Sequence, residues 1–294
     1  MIDETLVLVT QVGMFLFIVA GMAAMGLSLT VPRIVEPLRD VRMVALLVAA
    51  NFVAVPVVAI VATRVLPMDE AAATATILMA CCAGAPFLPK LAGLAKGDPA
   101  LAVGSMVLLM VVTVLYAPVV VPLAVEGATV EAWDIASSLI VLMLIPLGLG
   151  LFAKARYEEF ADSLVGQAGQ ISSAGLMIGI VAALLASWQD VLGAIGSWIF
   201  IGVAIVLVAG IVSGYIAGIG RSRSDMTVLS LATAQRNISA ALVVAVSLEG
   251  DVIVLTMVGA LVIPIVLIVL AGEVGKRISS VDGSETVIDT DGAA

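Results

Sequence analysis

The sequence GAPFLPKLAG, residues 84–93, decides how the chain around it folds. It interrupts an apolar stretch with Pro86 and Pro89, and Lys90 follows directly. Each proline removes a backbone N–H donor and clashes with the preceding turn of a helix. The sequence therefore predicts a helix that breaks just before the lysine, at backbone groups that need a cavity or a protein partner.

A second polar stretch, ATAQRNISAAL, residues 232–242, lies in equally apolar surroundings and contains no proline. Its arginine has at least ten uncharged residues on either side. The polar residues at its centre are Thr233, Gln235, Arg236, Asn237 and Ser239. A cluster of this kind indicates that the helix is not an ordinary membrane span.

The composition is that of an integral membrane protein. Hydrophobic residues make up 62% of the chain and charged residues 12%, and the mean hydropathy is +1.25. A spanning helix needs roughly 20 apolar residues, so an all-α polytopic membrane protein with about nine transmembrane helices is predicted. These helices cover residues 5–30, 41–65, 71–95, 99–123, 134–153, 165–188, 191–219, 226–248 and 252–273.

The charges of the connecting loops predict the orientation. Arg64 alone falls on one side, and the other side holds Arg33, Arg39, Arg42, Lys96, Lys154, Arg156, Arg221, Arg223, Lys276 and Arg277. Cytoplasmic loops carry the excess of Lys and Arg. We therefore expect a multi-pass protein of the cell membrane with its N-terminus outside and its C-terminus in the cytoplasm. Residues 1–275 form one predicted transmembrane domain, and the acidic segment 279–294 is expected to be a disordered cytoplasmic tail.

Two similar strings suggest related halves of the chain. LAKGDPALAV, residues 94–103, follows the third predicted helix, and SLEGDVIVLT, residues 247–256, follows the eighth. With an odd number of helices between them, the halves have opposite orientations, as in the inverted repeats of many carriers. The repeats would cover about 5–123 and 134–273.

Lys90 and Arg236 are the two cations within the predicted helices, and all 22 carboxylates fall in loops, helix ends or the tail. An ionised side chain at bilayer depth costs on the order of 3 kcal/mol. The pair predicts a cavity that receives an anionic substrate, since arginine suits bidentate recognition and lysine acts as a point charge. The alternative is that each cation reaches an interface or ties down the carbonyls of a broken helix.

The candidate substrate-binding residues are Lys90, Arg236, Asn237, Gln235, Asn51, Thr233 and Ser239, and the candidate helix-break residues are Pro86 and Pro89. Two hydroxyl residues of the fourth helix, Ser105 and Thr113, are expected to bond to the preceding turn of their own helix. The glycines Gly210, Gly214 and Gly218 predict a closely packed helix face.

Four stretches together resemble the bile acid:sodium symporter family and its bacterial relatives, over about residues 22–270. They are ACCAGAPFLPKLAGLAKGDPALAV, MGLSLTVPRIVEPLRDVR, NFVAVP and TAQRNISAAL. The resemblance is to the nine-helix form, and it implies inverted repeats of four and five helices, a panel domain and a core domain. It also implies that the third and eighth helices are discontinuous and cross at the binding site, with transport by alternating access.

The sequence departs from the sodium-coupled members of that family. Leu88 and Pro89 replace a Ser-Asn pair that follows the two cysteines. Ala232 replaces a glutamate and Arg236 a glutamine, whereas Asn51 stands where the family has a sodium-binding amide. Because a fixed ammonium or guanidinium repels sodium, we expect the two tethered cations to take the place of the ions.

The expected function is a sodium-independent secondary transporter of an organic anion that needs no cofactor. The alternative is a sodium-coupled symporter of bile-acid-like or other organic acids, with Asn51, Gln235, Asn237 and backbone carbonyls as sodium ligands. A non-transporting membrane sensor is less favoured, and the lack of histidine disfavours an enzyme. The expected partners are a small organic anion and the lipid bilayer, without nucleic acid, and we expect a monomer or a weak homo-oligomer.

Overall fold

A computed structural model of the chain describes residues 2–125, 133, 136–137, 140–245, 248 and 250–291. Within these ranges every regular element is a helix and none is a strand. The all-α class expected from the composition is therefore confirmed.

Residues 2–125 contain seven α-helices. They are α1 (Ile2–Ser28), α2 (Val31–Val35), α3 (Val41–Ala49), α4 (Val55–Val65), α5 (Glu70–Cys81), α6 (Leu88–Leu94) and α7 (Pro99–Ala124). A 3₁₀ turn (Glu36–Arg39) follows α2, and a π-helical turn (Ala50–Ala54) joins α3 to α4. The wider π turn lies just before Pro56, which cannot donate the next hydrogen bond of an α-helix.

The later part of the chain adds six α-helices. They are α8 (Ile145–Arg156), α9 (Glu158–Gly193), α10 (Ile199–Ala217), α11 (Arg223–Ala234), α12 (Ile238–Ala245) and α13 (Gly250–Asp291). A π-helical turn (Ile140–Leu144) leads into α8. The last helix continues beyond Ser279 to Asp291, through most of the segment whose composition indicates a disordered tail. Disorder of that tail stays a prediction.

Seven helical stretches of the described chain are long and apolar enough to cross a membrane. They are Glu4–Ser28, Val41–Val65, Pro99–Ala124, Glu158–Ala186, Ile199–Ala217, Arg223–Ala245 and Gly250–Ile278. Each overlaps one of the nine predicted spans. The predicted span 71–95 is divided into α5 and α6, and the predicted span 134–153 lies partly outside the described residues. The count of nine therefore stays a prediction.

Three N-terminal caps determine where the helices around the site begin. Asp69, Asp98 and Ser222 precede α5, α7 and α11, and each side chain accepts a hydrogen bond from a backbone N–H of the first turn. Such a cap satisfies a donor that has no partner within the helix. The start of each of these helices is therefore determined locally by its own sequence.

Glycine faces set two close helix contacts. α1 packs along α9, where a Cβ at Gly13 would lie only 2.7 Å from the nitrogen of Gly179. α10 packs on α11, where a Cβ at Gly210 would lie 2.5 Å from the Cα of Ala234 and one at Gly214 would collide with a carbonyl oxygen of α11. The close packing predicted from the glycine spacing in α10 is confirmed.

Candidate functional site

The two interrupted helices meet at their interruptions. The chain leaves α5 after Cys81 and enters α6 at Leu88, and it leaves α11 after Ala234 and enters α12 at Ile238. Asn237 joins them: its backbone N–H donates to the carbonyl of Cys82 (3.0 Å), and its side-chain Nδ2 donates to that of Gly84 (3.1 Å). Each interruption thus supplies partners for the other, as backbone inside a membrane protein requires.

Arg236 lies at this crossing and is completely buried. Its guanidinium donates from Nε to Met79 O (3.1 Å), from Nη1 to Asn51 Oδ1 (3.0 Å) and Thr233 O (2.9 Å), and from Nη2 to Ala80 O (2.5 Å) and Asn51 O (3.5 Å). We call these five oxygens the carbonyl cage. Since a guanidinium has five N–H donors, none remains for a bound anion in this conformation.

Most of the cage consists of helix ends. Met79 and Ala80 lie in the last turn of α5, and Thr233 lies in the last turn of α11. Carbonyls in the last turn of a helix have no partner within it and carry the negative end of the helix dipole. The guanidinium satisfies these carbonyls and places a positive charge where two helix dipoles favour one.

Asn51 completes the cage from a third helix. It lies in the π turn between α3 and α4, is fully buried, and donates from Nδ2 to Leu47 O (2.9 Å) and to Thr233 Oγ1 (3.1 Å). Its Oδ1 accepts from Arg236, and the Oδ1 of Asn237 accepts from the N–H of Ala240 (3.2 Å). Two of the three amides considered as sodium ligands therefore already have a donor on their oxygen.

Thr113 of α7 holds the first interruption from the other side. Its hydroxyl donates to Ala83 O (2.9 Å) and accepts from Ala83 N (3.0 Å). The expectation that this hydroxyl bonds to its own helix is wrong, because the unpaired backbone at residue 83 is within reach. Ser105, on the same helix, is buried and its Oγ has no hydrogen-bond partner in the described structure. The sequence marks Thr113 but not this partner, because a threonine in an apolar helix usually bonds to its own backbone.

Gly84 is required where α7 passes the first interruption. Its φ is +79°, a conformation that favours glycine, and a Cβ there would collide with the backbone of Met110. The backbones of the interruption and of α7 are therefore in direct contact.

A large cavity of about 290 Å³ lies beside the crossing. It is bounded by α1, α9, α13 and the two interruptions, and its lining is mostly apolar. The lining includes Gln235, which is 3% exposed, and Ser239, which is exposed in the first turn of α12. The Oε1 of Gln235 has no hydrogen-bond partner among the described residues.

A small cavity of about 90 Å³ lies further along α1 and contains Lys90 in its wall. The ammonium of this partly buried lysine donates to Ser173 Oγ on α9 (2.6 Å), and no carboxylate of the described chain pairs with it. Phe17 of α1 lines both cavities, and its ring packs edge to face on that of Phe87 at 5.5 Å between centroids. The two predicted intramembrane cations thus line different cavities.

The predicted residues therefore form three groups. Arg236, Asn51, Thr233 and Asn237 form one hydrogen-bonded cluster, Gln235 and Ser239 line the large cavity, and Lys90 with Pro86 and Pro89 lines the small one. The carbonyls of Met79 and Ala80 escaped prediction because backbone oxygens have no sequence signal. Nothing in the sequence distinguishes Phe17 from other apolar residues of its helix, so its position between the cavities was not predicted.

The chain matches known proteins over most of its first two thirds. Residues 14–193 match the model of the family described as the Sodium Bile acid symporter family. The sodium/bile acid cotransporter 4 of Mus musculus is 26% identical in an alignment of 190 residues that covers 59% of this chain and 42% of that protein. The chain thus spans less than half of that relative's length. With seven apolar helices as candidate spans, this is a multi-pass membrane protein, and it belongs to the sodium bile acid symporter family.

Proposed function

We propose that this protein is a secondary transporter that carries an organic anion across the cell membrane without sodium. The observation that carries the proposal is the guanidinium of Arg236 in the carbonyl cage. Unwound backbone carbonyls and half-helix C-terminal ends are the groups that bind coupling cations in many secondary transporters. Here an arginine side chain supplies the positive charge permanently.

Electrostatics then disfavour a sodium ion beside the arginine. Two unit charges 4 Å apart repel by about 4 kcal/mol at an effective dielectric constant of 20. An entering ion would also have to displace Arg236 from its five acceptors. Among the three amides, only Oε1 of Gln235 remains without a donor in the described structure. A single oxygen ligand does not suffice for a hard cation, which takes several oxygens.

Lys90 is the residue that supports anionic cargo. Its ammonium has three donors, and one is used, on Ser173. A partly buried cation without a carboxylate partner favours an anion in its cavity. In this proposal Lys90 attracts the anionic group of the substrate, whereas Arg236 holds the two interrupted helices together.

The transport cycle follows from the position of the cavities. Thr10 and Met14 of α1 line the large cavity, and Met22 and Met25 line the small one. If the N-terminus lies outside, as the loop charges predict, the large cavity lies in the outer half of the membrane and the small one in the inner half. In the proposed cycle the two cavities open alternately to the two sides of the membrane. The proposed architecture has nine transmembrane helices in two inverted repeats, with α1, α8 and α9 forming a panel against the core.

The experiment is tracer exchange in proteoliposomes. Vesicles preloaded with taurocholate would receive labelled taurocholate outside, in sodium chloride or in choline chloride. We expect equal rates in both salts, and a loss of at least about tenfold in Lys90→Met, since a desolvated cation paired with an anion contributes more than 1.4 kcal/mol. The matched control is Arg33→Gln, which removes an exposed cation of α2. Exchange that occurs only in sodium chloride would refute the proposal.

A further inference from the structure

Gln235 carries a buried polar atom that the fold itself does not use. The residue lies in the interruption between α11 and α12, is 3% exposed and lines the large cavity. Its Oε1 has no hydrogen-bond partner among the described residues. Buried polar atoms in folded proteins are nearly always paired, so an unpaired acceptor in a cavity wall calls for a donor from outside the chain.

The neighbouring backbone determines which end of the amide faces the cavity. Nε2 of Gln235 donates to the carbonyl oxygen of Arg236 at 3.3 Å. A carbonyl can only accept, so turning the amide over would place two acceptors against each other. The free atom is therefore the oxygen, and it is complementary to an O–H or N–H group.

The other polar side chains in the wall of the large cavity differ from the amide oxygen of Gln235 in their hydrogen bonding. Thr10 donates to Leu6 O (2.8 Å), Asn237 donates to the first interruption, and all donors of Arg236 are engaged in the carbonyl cage. The exposed hydroxyl of Ser239 differs from the amide oxygen of Gln235 because it can donate as well as accept. Much of the remaining lining is aliphatic or aromatic. The cavity thus fits an apolar body that carries a hydrogen-bond donor at one place.

We propose that Gln235 accepts a hydrogen bond from a hydroxyl or amide N–H group on the apolar body of the transported anion. The residue would thereby select hydroxylated or amidated organic acids over fully apolar acids of the same shape. This inference rests on the proposed function, because it assigns the large cavity to the substrate. A site that accepts a hydrogen bond disfavours an analogue without the donor, since its acceptor then stays unpaired.

The test is equilibrium binding of two steroid carboxylates to the purified full-length protein in lipid nanodiscs. Cholate carries ring hydroxyls, and 5β-cholanate has the same skeleton without them. We expect the wild-type protein to bind cholate about tenfold more tightly than 5β-cholanate, and Gln235→Met to bind the two alike while keeping the affinity for 5β-cholanate. Gln170→Met, which changes an exposed glutamine of α9 outside the lining, should keep the wild-type ratio.

Three binding results would overturn the inference: equal binding of both probes by the wild type, a preference that persists in Gln235→Met, or binding of neither probe. Thermal unfolding of Gln235→Met without ligand shows whether the substitution changes the stability of the protein as well as its preference between the probes. In the described structure Oε1 has no partner to lose, and the carbonyl oxygen of Arg236, to which Nε2 donates, keeps the backbone N–H of Ile238 as a donor (3.1 Å). The unfolding temperature of Gln235→Met should therefore match or exceed that of the wild type, and a marked fall would also overturn the inference. Suppose that exchange needs sodium and that Gln235→Met loses the preference for cholate. These results would refute sodium-independent transport but leave this inference standing.

Discussion

Arg236 places a fixed positive charge where interrupted helices present their carbonyl ends. The carbonyl cage gathers five oxygens from three helices around one guanidinium that is wholly buried. A charged group at such depth needs a partner, and here backbone and amide dipoles act in place of a carboxylate. The arginine is therefore both the charge that the site requires and the link that holds the crossing together.

Removing this guanidinium should destabilise the fold and make it sensitive to sodium. Arg236→Ala leaves several buried carbonyls without donors and should lower the free energy of unfolding by at least about 3 kcal/mol. Because the emptied carbonyl cage offers oxygens to a cation, sodium chloride should raise the unfolding temperature of the variant more than choline chloride does. The wild-type protein should respond to the two salts alike, and an equal response of the variant would contradict this role.

Two hydroxyls of α7 should respond in opposite ways to removal. Thr113→Val deprives Ala83 of both its hydrogen bonds and should lower the free energy of unfolding by about 1–3 kcal/mol. Ser105→Ala removes a buried hydroxyl that has no partner in the described structure, and it should be neutral or slightly stabilising. Thermal unfolding in one detergent measures both, and Thr113→Ser, which can keep the bonds, should lie between Thr113→Val and the wild type.

The sequence indicated that Arg236 is exceptional but not what it touches. Its position among uncharged residues, with no carboxylate inside a predicted span, marks it as a functional or structural centre. Two of its five acceptors are the carbonyls of Met79 and Ala80, which lie 157 and 156 residues away along the chain, and every residue has such a carbonyl. The alternative that it ties down a broken helix describes its geometry better than direct contact with an anion.

The helices themselves were more predictable than their interruptions. Pro86 and Pro89 carry a steric reason to end a helix, whereas the interruption at 235–237 has no proline and rests on tertiary hydrogen bonds. α9 begins at Glu158, ahead of the predicted start at residue 165. Hydropathy marks only the apolar part of a helix, so its polar first turns were not included in the predicted span.

The contact between α10 and α11 gives a prediction at the scale of helices. Gly214→Ala places a methyl group against the carbonyl of Leu229 and should force the helices apart, at a cost of about 1–3 kcal/mol. Gly148→Ala makes the same chemical change in α8, where no atom lies within 4 Å, and should stabilise by up to about 1 kcal/mol. Thermal unfolding of the two variants should shift in opposite directions, and a common direction would contradict the packing argument.

At the scale of the whole molecule, two contacts cross the cavities, one from α1 to the first interruption and one from α9 to α6. The ring of Phe17 packs on that of Phe87, and Lys90 donates to Ser173. The aromatic pair lies between the large and the small cavity, since Phe17 lines both. In the proposed cycle of alternating access, a substrate that passes from one cavity to the other has to separate these rings, which therefore form the boundary between the two cavities.

Linking the two sides of this boundary should stop transport and leave binding intact. Phe17→Cys and Phe87→Cys would be joined by a cleavable bifunctional thiol reagent, in a background where the buried Cys81 and Cys82 are replaced by alanine. Taurocholate exchange should cease in the linked protein, because residues 17 and 87 can no longer move apart, and it should return after cleavage of the reagent. The large cavity of the linked protein should still bind cholate. Each single cysteine treated alike serves as the control. Full exchange in completely linked protein would mean that the substrate does not pass between these residues.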